Sequence, residues 1–173
     1  MNILRRLHNA ILQSEENARL MERMEEERRI DTRFRTFLAS CGDPDERIGN
    51  GPTWLMSAAR NGSIERVTIL LNRGSNIEAQ DEETGTPLMH AAEAGAVETV
   101  RLLLERDANV NARNDAGQTA LMLAYLGPVE VTRLLLEAGA DVTLEDCYGT
   151  TALSLASSHG SPAVAELLRQ YGA

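Results

Sequence analysis

The chain has 173 residues, of which 43% are hydrophobic and 25% charged, with a formal net charge of -9. That length favours one domain, and the composition is too apolar for a disordered chain. The acidic balance argues against a phosphate-binding surface, hence against nucleic acid as partner, and no apolar run nears the ~18 residues of a membrane span.

All 17 basic residues are Arg, and Lys is absent. Coding bias and selection against lysine-directed modification such as ubiquitin attachment both account for this. Cys41 and Cys147 match no metal-ligand spacing. Two distant cysteines make no disulfide framework, so reduced thiols and a cytoplasmic location are expected. The first twenty residues lack the apolar stretch of a signal peptide, and Glu15 and Glu16 are unlike a mitochondrial transit peptide.

In chain order, residues 1–33 read as a helical extension. Leu4, Leu7 and Ile11 begin a heptad seam that Ala18 and Met21 continue, before it decays at Glu25 and Arg28. Three or four sustained heptads are needed for a coiled coil. Leu4, Leu7, Ile11 and Met21 therefore mark a face for docking to a partner or for self-association, or one that folds back over the rest as a cap. Through residue 48 the charge is nearly even, so the remainder carries the acidic excess.

From residue 50 the chain repeats. Thr53, Thr86, Thr119 and Thr151 head four similar segments, each with a Leu two residues on. Each Thr suits the N-cap of a short helix, where its hydroxyl accepts from a free amide. Pro87 suits the first helical position. Small residues such as Ala58-Ala59 and Ala91-Ala92 keep that helix thin. Val67/Leu70/Leu71, Val100/Leu103/Leu104, Val131/Leu134/Leu135 and Val164/Leu167/Leu168 then form one apolar stripe on each second helix. Gly74 and Gly139 suit the left-handed residue after it, and Asp107 takes the equivalent slot. No unit can bury its stripe alone, so the units must stack.

These four units resemble the ankyrin repeat, about 33 residues of β-turn plus two helices. The resemblance covers residues 50–173 and implies an all-α repeat solenoid: an ankyrin-like stack of helix-turn-helix units with β-turn tips, plus the long N-terminal helix. The expected boundaries are an extension over 1–33 and a repeat domain over 34–173. The latter comprises a capping half-repeat (34–49) and repeats at about 50–82, 83–115, 116–147 and 148–173. Within the half-repeat, Phe37 and Leu38 stand near the place of the Leu pair. The family's usual His is replaced by Met56, Met89, Met122 and Ser154, so the hydrogen bond it makes is expected to be missing. The third unit is one residue short between its helices, at Tyr125-Leu126-Gly127.

No catalytic constellation, phosphate loop or metal-ligand pattern appears, so neither enzymatic activity nor a cofactor is expected. His90 reads as a satisfied, half-buried side chain. The Met row reads as gap-filling between stacked helices rather than an adaptable binding stripe. The resemblance instead implies partner contacts on a concave face made by the tips and first helices. By position, the contact residues are Trp54, Arg60, Glu82, Glu83, Glu93, Tyr125, Leu126, Tyr148 and His159. Trp, Tyr and Arg are the common anchors of interfaces, although Trp54 suits equally a packing role beside the half-repeat. The acid run Asp81-Glu82-Glu83 would steer a basic partner. The function so implied is a non-catalytic protein–protein interaction module, acting as scaffold, adaptor or immunity-type inhibitor. The alternative is an assembly subunit contacting its partner through the N-terminal helix; a small-molecule site is the remote one.

Overall fold

The computed structural model describes residues 31–40, 43–49, 51–159 and 161–172. The docking residues Leu4, Leu7, Ile11 and Met21 lie outside them. Two compact units divide the chain between Gly42 and Asp43. In the first unit, residues 31–39 are helical (α1). Phe34 and Phe37, three residues apart and thus on one helical face, are buried, with ring centroids 6.1 Å apart. Asp31 and Arg35 pair at 2.8 Å one helical turn apart.

The second unit contains four helical hairpins. They are α2 (Trp54–Arg60) with α3 (Ile64–Asn72), α4 (Pro87–Glu93) with α5 (Val97–Glu105), α6 (Ala120–Leu123) with α7 (Val129–Glu137), and α8 (Ala152–Ser158) with α9 (Pro162–Gln170). A 3-10 turn, Ala124–Leu126, follows α6. First helices pack in a row, α2 on α4, α4 on α6 and α6 on α8; second helices do likewise. This row is the repeat stack that the apolar stripes required.

The caps are made as the sequence predicts. Thr53, Thr86 and Thr119 accept from the amides of Met56, Met89 and Met122. Thr151 accepts from Ser154, whose hydroxyl in turn accepts from the Thr151 amide, closing a capping box. Pro87 occupies the first turn of α4. Val67, Leu70, Val100, Leu103, Val131, Leu135 and Leu168 are almost wholly enclosed, while Leu71 and Leu104 are half-buried. Met56, Met89 and Met122 are buried too, which fits space-filling within the stack. Gly74, Asp107 and Gly139 share the left-handed conformation after their helices, with φ of 89°, 64° and 86°.

Loops join one unit to the next through a ladder of side-chain turns. Asp43, Asn76, Asn109 and Asp141 each accept through Oδ1 from the amide two residues on. Between consecutive units, Asp45 accepts from the Asn76 amide, Glu78 from Asn109, and Asn111 from Asp141, all at 2.7–2.8 Å. Such side-chain turns satisfy backbone amides that no helix or sheet would reach.

Candidate functional site

The tips are built alike. Asp81 Oδ1 accepts from the amides of Glu83 and Gly85, Asn114 Oδ1 from Gln118, and Asp146 Oδ1 from Tyr148 and Thr150. Adjacent tips are tied together, with the Asp115 amide donating to the Glu83 carbonyl and the Cys147 amide to the Ala116 carbonyl. Arg113 spans two units, donating to the Gly117 and Glu145 carbonyls; Arg47 does the same with Gly51 and Gln80. Gly117 and Gly149 take positive φ (75° and 74°), and at the equivalent place in the second unit Thr84 does so at 57°. A β-branched residue there is strained; its hydroxyl donates to Asp115 at 2.9 Å.

The acid run is only partly free. Glu82 and Glu83 are exposed. Asp81 turns inward, its Oδ2 2.7 Å from His90 Nε2. With the carboxylate accepting, Nε2 carries the proton. Burial pushes the Asp81 carboxyl up, but the Gly85 amide, the His90 hydrogen bond and charge, and the Glu83 amide outweigh it and hold its pKa below the usual value. Asp146 is also held low, by the Thr150 amide first, against burial, and then by the Tyr148 amide and Arg113. A different histidine bond stands in this repeat. Met89 fills the family's His position, and His90 beside it fastens the tip to α4.

Among the expected contact residues, Arg60, Glu82, Glu83, Glu93, Leu126, Tyr148 and His159 are exposed and Tyr125 is half-buried. Trp54 is the exception. It is 6% exposed, and so belongs to the interior rather than to a contact surface. The reason lies in its place as first residue of α2. At the same place Pro87, Ala120 and Ala152 are buried as well, so this position faces inward in all four units. Tyr125 and His159 come together, ring centroids 4.8 Å apart and tilted 58°. His159 Nδ1 is 3.0 Å from the Leu155 carbonyl. Among the described residues, Leu126 and Tyr148 are the most exposed large apolar side chains, at 67% and 88%.

Charge is unevenly distributed over this unit. The second helices and their ends carry Arg66, Arg73, Arg101, Arg106, Arg133 and Arg169 against Glu65, Glu98, Glu105, Glu130, Glu137 and Glu166. Arg101, Arg133 and Arg169 pair with acids of that group. Tips and first helices instead carry Glu82, Glu83, Glu93, Asp115 and Glu145, with Arg60 as their exposed basic residue apart from the loop-bound Arg47 and Arg113. Among the described residues no cluster of three or more His, Cys, Asp or Glu is placed to hold a metal, and no helix is long and apolar enough to cross a membrane.

The tip-locking acids and the loop ladder were not singled out by the sequence reading. Their signal was nonetheless present, because Asp43, Asn76, Asn109 and Asp141 recur at the same intervals as the Thr row. No curated protein matches the chain. The family described as ankyrin repeats (3 copies) matches residues 31–114 and 109–173. With most of its length so matched, and four capped hairpins stacked in a row, this chain belongs to the ankyrin repeat family.

Proposed function

We propose that this chain binds a folded, basic partner protein on the face made by its tips and first helices, as a non-catalytic scaffold, adaptor or inhibitor. The observation that carries this reading is the segregation of charge. Arg and Glu balance on the second helices, whereas acids dominate the tips and first helices. Such a field steers a basic partner and penalises an acidic one. Exposed Tyr148 and Leu126, with half-buried Tyr125, supply the apolar contact area that charge alone does not. The hydrogen-bonded tips keep this surface ordered before binding, which lowers the entropic cost of association.

Residues 34–49 are read as a capping half-repeat. Asp43 and Asp45 support this, since they take the same roles in the loop ladder as Asn76 and Glu78 one unit on.

The test is charge reversal. A partner captured on the full chain is compared on the Glu82→Arg/Glu83→Arg variant, over a range of salt. The expected result is weaker binding and a flatter salt dependence. Unchanged affinity with unchanged salt dependence refutes the acidic-face reading.

A further inference from the structure

We propose that the shortened third hairpin is the specificity element of this face and that it takes an arginine side chain of the partner; this rests on the binding-face reading above. In the other three hairpins the first helix is a full seven residues. The third has four helical residues, then a 3-10 turn. Gly62 and Gly95 end their first helices with φ of 67° and 70°, but Gly127, at φ -80°, does not use that turn.

The missing residue leaves Leu126 67% exposed, where the other units have Asn61, Ala94 and His159. Exposing a large aliphatic side chain brings the fold nothing. Local rules broken without a folding benefit are characteristic of functional positions.

The neighbours define the chemistry. A Cβ on Gly127 would stand 3.6 Å from Gly95 Cα and 3.7 Å from the Ala92 carbonyl. The turn therefore lies against the end of α4, which carries the exposed Glu93. On the other flank, Tyr125 is held against the His159 ring. Adjoining elements thus carry a carboxylate, an aromatic ring and an aliphatic side chain. Arginine uses all three: its methylene stem covers Leu126, and its planar guanidinium stacks on a ring and pairs with a carboxylate. Lysine reaches the carboxylate but lacks the planar fork, and an acidic side chain is repelled.

The test pans the full chain against a random-peptide display library. Selected peptides are expected to share an Arg whose replacement by Lys weakens binding severalfold. Leu126→Asn, which copies the residue of the first unit, is expected to weaken them about tenfold, as loss of an interface anchor does. Tyr171→Ala, exposed beyond α9, is expected to leave them unchanged. Binding indifferent to Leu126→Asn, equal affinity for Lys, or a selection without an Arg consensus overturns the inference. If Glu82→Arg/Glu83→Arg abolishes binding while Leu126→Asn does not, this inference alone falls. If neither matters, the binding-face reading falls with it.

Discussion

Thr99 and Thr132 are 1% and 0% exposed, and their Oγ1 atoms are buried with no hydrogen-bond partner. An unsatisfied buried hydroxyl costs about 1–3 kcal/mol. Valine matches threonine in shape, each carrying two heavy atoms on Cβ. The stack itself shows that Val fits. The position of Thr99 in α5 holds Val131 in α7, the position of Thr132 holds Val100, and both valines are fully buried. Thr99→Val and Thr132→Val are therefore each expected to stabilise the fold by about 1 kcal/mol or more. In a chain this size that corresponds to a rise of about 2–5 °C in melting temperature. Urea denaturation with unchanged m-value is the assay, because a change in stability alone shifts only the midpoint. Since α5 and α7 are in contact, the double variant also tests additivity. A loss of stability on either substitution refutes the reasoning, because the hydroxyl must then be satisfied in solution, for instance by the carbonyl one turn back.

Three further outcomes are expected. Gly95→Ala should cost about 2–4 kcal/mol, because a Cβ would stand 2.7 Å from Pro128 Cδ and the residue has φ 70°. Gly74→Ala, with φ 89° but open space, should cost only the strain, so equal denaturation midpoints for the two variants would refute the Pro128 clash. The Asp81 pKa is lowered in the fold, so its contribution is complete above the unfolded carboxyl value of about 3.9 and is lost as pH falls through the folded value. Asp81→Asn should thus flatten the drop in stability between about pH 5 and about pH 3 while keeping the tip, since Asn114 makes an equivalent turn; an unchanged acid profile counts against it. Thr119→Ala removes the cap on the shortest first helix and should cost about 1 kcal/mol, read from the melting temperature against Thr86→Ala.

Much of this architecture is local, and so was legible in one sequence. Caps, left-handed residues and apolar stripes act over a few residues, so Thr53, Gly74 and Val100 announce their roles by type and interval. The Thr rows fixed the number of hairpins, and a stripe that no hairpin buries alone required the stack. Exposure at Glu82, Glu93 and Tyr148 also followed from position within a repeat.

What escaped is what neighbouring units impose on each other. Trp54 is an anchor by residue type, but the first position of each first helix faces inward, and only the packed units reveal it. Asp81 counts as one more surface charge until the tip folds against α4 and finds His90. The deletion at Tyr125-Leu126-Gly127 was visible as a gap in register, but not that the chain would shorten α6 into a 3-10 turn and bring Tyr125 onto His159. Sequence fixes what each residue can do with its own backbone; which charges remain free depends on how a tip folds onto its helix, and which rings meet depends on how one repeat stacks on the next.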